Sequence, residues 1–376
     1  AFTLQPLPAP GQAVKLLLTS DQQNRAMSPA NFEKVVETVG RVDAVLFAGD
    51  LVDNPNRASE WFDRDNRGRP AFFPAFQGRF QELFPEHPYR GGEILQHAPI
   101  FPTIGNHESP GRFRRTDSIG AMDGEPRPRW FAEWQWSQLT PAERAATGQT
   151  REAWVRDNSF EHITYYEMWD LPTHGVSGVE PENFYAIRYG NVHITSMNVS
   201  RVWRNWNNGR LTATRGNNGR GKFAEPRDTV NDLDTWGFGD MFFQDYGPGS
   251  PQRTWLGQVL RSSEYTGASY QVVLGHQTMF GYGDNAVPVM ANPEATITFT
   301  DGRNPIVTTF PTNASTWSQV VDAARQGRIE SVRYQYRRAD DLWLGVEREL
   351  LQAGADLVHT GHSHVWSRSY VDDAQT

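Results

Sequence analysis

Cysteine is absent from the 376 residues, so the chain can form no disulfide and offers a metal no thiolate. Redox compartment is therefore left open. Lysine is almost missing too: Lys15, Lys34 and Lys222 stand alone among 36 basic residues, and arginine carries the rest. A genomic base bias explains that skew as simply as a need for bidentate phosphate contacts. No apolar run approaches the ~20 residues of a membrane-spanning helix. The net charge of −8 argues against a nucleic-acid polymer as partner, because recognition of a phosphate backbone needs a basic face. An initiator methionine is lacking as well. The start Ala1-Phe2-Thr3 fits a processed N-terminus, so a secreted or periplasmic location is the expectation.

What is present is more specific. Four short motifs open on glycine: Gly49-Asp50, Gly105-Asn106-His107-Glu108, Gly275-His276 and Gly361-His362-Ser363-His364. Each follows a run rich in apolar or β-branched residues, namely Asp43 to Ala48, Pro99 to Ile104, Tyr270 to Leu274 and Asp356 to Thr360. This is the pattern of a strand that ends in a glycine turn and then presents a metal-type ligand. A fifth run, Val14 to Ser20, leads to Asp21, with Gln22 and Gln23 behind it. In an open α/β sheet such residues converge outside the carboxyl ends of the strands, where ligands bind.

Hard oxygen donors (Asp21, Asp50, Asn106) mixed with imidazoles (His276, His362, His364) suit Mn, Fe, Zn or Co. They are too rich in nitrogen for a dedicated Ca or Mg cage. They are also too many for one tetrahedral site, and fit two open sites that share a carboxylate. A Gly-Asp or Gly-His pair by itself is ordinarily a turn. Repetition in order, at strand ends, sets these apart.

The order Asp…Gly-Asp…Gly-Asn-His-Glu…Gly-His…Gly-His-x-His resembles the calcineurin-like metallophosphoesterases, a binuclear class that includes the purple acid phosphatases. Glu182 to Ile194 resembles that family's central hairpin, and Gln252 to Leu256 the helix before its fourth motif. Arg368 sits where the purple-acid branch often has arginine. The resemblance implies an α/β fold, a four-layer α/β/β/α sandwich of two mixed sheets. It also implies that Asp21 and His364 hold one metal, that Asn106, His276 and His362 hold another, and that Asp50 bridges them. His107 would face the scissile phosphate as a general acid, oriented by Glu108. Two positions depart from the pattern. Gln23 replaces the usual histidine of Asp-x-His, and Leu51-Val52-Asp53 follows Asp50 without the tyrosine that colours the iron of purple enzymes. Asp-x-Gln is similar to the manganese-dependent ADP-ribose and CDP-alcohol diphosphatases, which implies Gln23 as an amide-oxygen ligand of a weaker first site.

The chemistry accounts for these residue types. A phosphate ester is shielded by its own negative charge, and two cations about 3.5–4 Å apart neutralise it and activate water for in-line attack. A placed acid adds roughly 10²–10⁴-fold by protonating the leaving oxygen.

Helix signals separate the motif strands. Ser28-Pro29 opens a helix with Phe32, Val35, Val36 and Val39 at helical spacing and Gly40 past its end. Thr140-Pro141 and Gly148 bracket another; Trp255 to Leu260 and Leu342 to Leu351, before Gly354, give two more. The gaps from His107 to His276 and from His276 to His362 are too long for plain loops. Insertions forming a cap are therefore expected at about 109–180, 200–250 and 281–338 of a single catalytic domain spanning 1–376. Their tryptophans, Trp130, Trp134, Trp154 and Trp236 among them, are expected to build the insertions' own core. His162 and His174 lie in the first insertion, within possible reach of substrate, and His359 is expected to be a satisfied histidine under the metal shell. The Asn-Gly-Arg repeats over 207–220 read as a glycine-asparagine loop. After His364, Trp366 to Val371 is expected to form a strand that pairs with a companion segment, because a bare sheet edge is normally covered.

The expectation is a metal-dependent phosphomonoesterase or phosphodiesterase acting on small extracellular phosphate esters such as nucleotides. A nucleotide pyrophosphatase is the alternative that Asp-x-Gln favours. From another class, a metal-binding pseudoenzyme or adhesion module is disfavoured by His107 and Glu108, which a purely structural metal site does not need.

Overall fold

The computed structural model of the chain describes residues 6–63, 69–80, 89–109, 128–203, 224–225, 227–242, 244–277, 293–335 and 343–370. In chain order the strands are β1 (Leu16–Thr19), β2 (Ala44–Phe47), β3 (Ile100–Pro102), β4 (Tyr185–Tyr189), β5 (Val192–Ser196), β6 (Arg201–Trp203), β7 (Asp240–Phe242), β8 (Tyr270–Leu274), β9 (Glu294–Phe299), β10 (Ile306–Thr309), β11 (Ile329–Gln335) and β12 (Leu357–His359).

β1, β2 and β3 make one sheet, wholly parallel among the described residues rather than mixed. All of β2 is buried, as a central parallel strand covered on both faces requires. The second sheet runs β12-β8-β5-β4 and is mixed: β4 and β5 form an antiparallel hairpin, while β5, β8 and β12 are parallel. Strand periodicity divides this sheet between two cores. Tyr185, Ile194, Val272 and Leu274 join Val45 and Phe47 of the first sheet, whereas Val273 packs with Trp255, Leu256, Val346 and Leu350. Tyr185 ties the sheets together, its hydroxyl donating to Pro102 O at 2.7 Å. Helix Ser28–Val39 sets Phe32 against the first sheet's core, and helices Pro251–Val259 and Trp343–Gln352 cover the second sheet. The result is the expected α/β/β/α layering.

Local signals explain the helix ends. Pro29 lies in the first turn of the first helix and Gly40, at φ 72°, ends it, while the cap position falls on Met27, which makes no side-chain cap. Helix Pro141–Thr147 has a reciprocal cap: Thr140 accepts the Glu143 amide, and Glu143 accepts the Thr140 amide at 2.7 Å.

The inserted stretches share one core of their own. β9, β10 and β11 form an antiparallel sheet whose Ala295, Ile297 and Phe299 point to one side, and helix Ala314–Arg325 adds Trp317 and Val320. Phe131 from the first insertion and Trp236 and Phe238 from the second fill the same cluster, with Trp130 and Trp134 against it. Trp136 and Trp154 pack on each other nearby. The tail departs from expectation. Trp366 to Tyr370 form no strand, and Trp366 is 89% exposed, because no neighbouring strand among the described residues offers it a ladder. Val371, the loop over 207–220 and Leu342 lie outside the described residues.

Candidate metal centre

Every sequence-predicted ligand follows a strand at its carboxyl end, and backbone hydrogen bonds carry strand pairing on into the ligand loops. Asp21 N donates to Gly49 O at 3.0 Å, Gln23 N to Leu51 O at 3.2 Å, and Gly361 N to His276 O at 2.9 Å. The glycines precede the ligands for a steric reason. A Cβ on Gly49 would stand 2.7 Å from His276 Nδ1 and 2.8 Å from Gly105 Cα, and one on Gly361 would stand 2.5 Å from Asp21 Oδ2. One on Gly105 would collide with Asp50 Oδ1. Each glycine leaves room for a ligand from another loop.

Five of the seven candidate ligands are held in left-handed backbone. Asp21 (φ 50°), Gln23 (φ 41°), Asp50 (φ 58°), His362 (φ 69°) and His364 (φ 54°) are five of seven described non-glycine residues with positive φ, and Asn24 is a sixth. Such conformations cost of order 1–3 kcal/mol each and cluster at functional sites.

Two groups of donors result. Asp50, His276 and His362 form one; Asp21, Asp50 and His364 form the other; within each group one donor atom from every residue lies within 4.8 Å of the rest. Asp50 belongs to both. Asn106 completes the first group, with its Oδ1 2.9 Å from His276 Nε2, while Asp50 Oδ2 lies 3.3 Å from the same nitrogen. His276 Nδ1 donates to Ala48 O at 2.7 Å, which aims Nε2 at the other donors. In the second group His364 Nε2 is 3.3 Å from Asp21 Oδ1, and both Asp21 oxygens accept the His362 amide.

Electrostatics fit a cation. Burial would raise the Asp50 carboxyl, but the charges of His276 and His107, a hydrogen bond from His276 and the charge of His362 hold it well below the usual carboxylate range. Burial would lower His276, yet Asp50 and Asp21, with the Ala48 carbonyl, push it up to about 9. A proton on that ring satisfies the carboxylates that a metal ion would otherwise satisfy.

His107 and Glu108 both sit here, but not as a pair. His107 Nδ1 donates to Asp53 O at 2.8 Å, leaving Nε2 3.9 Å from Asp50 Oδ2. Glu108 instead accepts the amides of Gly105 (2.7 Å), Asp50 (2.8 Å) and Leu51 (2.8 Å). Its expected role of orienting His107 is therefore corrected: the Asp53 carbonyl orients the ring, and Glu108 fastens two ligand loops together. Burial and the charge of Asp50 push the Glu108 carboxyl up to about 7 against those amide bonds. Burial opposes protonation of His107, but Asp50, the Asp53 carbonyl and the nearby acids raise its proton affinity. Gln23 is buried beside Asp50, with Nε2 donating to Asp50 Oδ2 at 2.9 Å and Oε1 accepting from Arg25. Its oxygen is thus turned to the arginine.

The family model of calcineurin-like phosphoesterases matches residues 14–366. The chain belongs to that family. No curated protein sequence matches it. Among solved structures, a purple acid phosphatase isolated from yellow lupin (Lupinus luteus) seeds is similar over 74% of this chain and 33% of its own, at 11% identity and a TM-score of 0.32. The chain spans about a third of the length of that lupin protein.

The site also holds contacts that the sequence did not reveal. Ser109 Oγ lies 2.9 Å from His162 Nε2, so the buried His162 packs beneath the Asn106 to Glu108 turn rather than reaching into the crevice. The Asp53 carbonyl orients His107, and because any residue at that position offers a carbonyl the sequence carried no signal for it. His174 stacks on Phe184. His359 is the satisfied histidine the sequence led one to expect, its Nε2 bonding Thr19 O at 3.1 Å beneath the site.

Proposed function

We propose that this phosphoesterase binds two divalent or mixed-valence ions, drawn from Mn, Fe, Zn and Co, and hydrolyses small phosphate esters such as nucleotides as a phosphomonoesterase or phosphodiesterase. The observation that carries the reading is the pair of donor groups with Asp50 in common. Asp21 and His364 would hold one ion, Asn106, His276 and His362 the other, and Asp50 both. Gln23 would complete the first site through its amide once Arg25 releases the oxygen. When bound, two such ions neutralise the charge of the ester and activate water for attack on phosphorus.

The remaining work falls to the chain. Because His107 Nδ1 is committed to the Asp53 carbonyl, the proton for the leaving oxygen sits on Nε2, the nitrogen on the Asp50 side. Asp50 and the Asp53 carbonyl raise the proton affinity of His107 against its burial, which favours the protonated ring that an acid requires. Glu108 holds the loops of Asp50 and Asn106 in register, so the acid and the ligands move together. Metal analysis of protein purified without added metal, followed by assay on monoesters, diesters and pyrophosphates, tests the reading. Two ions per chain and turnover of at least one class are expected; a chain with no metal affinity and no turnover overturns it.

A further inference from the structure

Two arginines stand beside the crevice, and cleavage of a simple ester leaves them without a task. Arg25 donates from Nε (3.1 Å) and Nη2 to Gln23 Oε1, and Gln23 Nε2 donates to Asp50 Oδ2 at 2.9 Å. One buried amide and two hydrogen bonds therefore separate an exposed guanidinium from the shared carboxylate. Arg69 stands on the side of the acid: its Nη2 pairs with Asp53 Oδ2, and the carbonyl of the same Asp53 orients His107. Its side chain is 47% exposed.

The loops that carry the two arginines are clamped together. Asn24 Nδ2 donates to Pro70 O at 2.9 Å, Gln22 Nε2 donates to the same oxygen at 3.3 Å, and Asn24 Oδ1 accepts the Asp53 amide at 3.1 Å. Arg25 follows Asn24 and Arg69 precedes Pro70. Each fork carries five donors, of which the contacts above engage one or two, and its planar geometry matches phosphate oxygens.

We propose that Arg25 and Arg69 form an anion subsite beside the metal centre, which takes the second phosphoryl group of a diphosphate whose first lies at the metals. This rests on the function proposed above and narrows its substrate class to compounds with two linked phosphoryl groups.

Calorimetry on the metal-loaded full chain, with methylenediphosphonate and methylphosphonate as unreactive probes, tests the subsite. The diphosphonate should bind at least about tenfold more tightly. Arg25→Gln and Arg69→Gln should each weaken the diphosphonate by roughly tenfold and methylphosphonate far less, which also shows that the variants remain folded. Arg25→Lys, which keeps the charge and loses the fork, should recover part of the affinity. Arg303→Gln removes an exposed arginine paired with Asp301 in the inserted region and should change neither probe. Equal binding of the two probes, or equal losses in the arginine variants, overturns the subsite while leaving the metal centre standing. Failure to load metal at all would overturn both readings.

Discussion

Glu108 holds the backbone amide of Asp50 at 2.8 Å, across 58 positions of sequence. The same carboxylate takes the amides of Leu51 and Gly105, so one buried side chain closes the Gly-Asp turn onto the Gly-Asn-His turn. Glu108→Gln keeps the shape but offers one carbonyl oxygen where three N–H groups converge, and turns an NH2 toward donors. We expect a loss of about 1–3 kcal/mol in stability together with weaker metal retention. Urea unfolding and metal content on the same preparation check this; unchanged stability would mean that the amides find other acceptors.

Asp50 and Gln23 should differ in reach. Asp50→Asn lowers metal content in both donor groups, because its carboxylate belongs to each. Gln23→Ala lowers it in the Asp21 and His364 group alone. Elemental analysis after gel filtration separates the two, and two retained ions with full turnover in Asp50→Asn would remove Asp50 as the shared ligand.

His107→Asn tests the acid. The variant should keep its metal, since His107 is in neither donor group. It should slow alkyl esters by roughly 10²-fold or more, and aryl esters, whose leaving oxygens need no proton, much less. Equal losses on the two classes would assign His107 to substrate binding.

His162 gives a pH signature. Burial lowers its pKa from 6.5 to about 3, so it stays neutral in the folded chain where the unfolded chain takes up a proton. Folding then binds fewer protons between these values. The stability contributed by the neutral ring is complete above pH 6.5 and is lost as pH falls toward 3, by up to about 1.4 kcal/mol per pH unit. His162→Gln should flatten that slope and leave part of the Ser109 contact in place. Denaturant midpoints measured from pH 7 to pH 4 check it; parallel slopes for wild type and variant would show that the ring is solvated.

The ligand loops were legible because each carries its own local signature, a buried strand followed by glycine and a donor, and the structure brings Asp21, Asp50, Asn106, His276, His362 and His364 together. Helix ends at Pro29, Gly40, Thr140 and Gly148 were legible for the same reason. What stayed hidden depends on contacts between distant segments. Nothing near Glu108 in sequence shows that its acceptors serve amides at 50 and 51, and nothing near Gln23 shows that its oxygen faces Arg25. The shared core of Phe131, Trp236, Ile297 and Trp317 left only separate hints, such as the alternation of β9. Trp366 to Tyr370 has the composition of a strand, but a strand also needs a neighbour to pair with.

The donors of the centre come from five loops spread between Asp21 and His364. A chain that has closed only its first sheet presents Asp21, Asp50 and Asn106, oxygen donors that hold transition ions weakly. The imidazoles that give affinity arrive only when β8 and β12 have joined the second sheet. An ion held by the full donor set would therefore bind the assembled sandwich alone, and each tenfold excess of ion over its dissociation constant would add about 1.4 kcal/mol to that form.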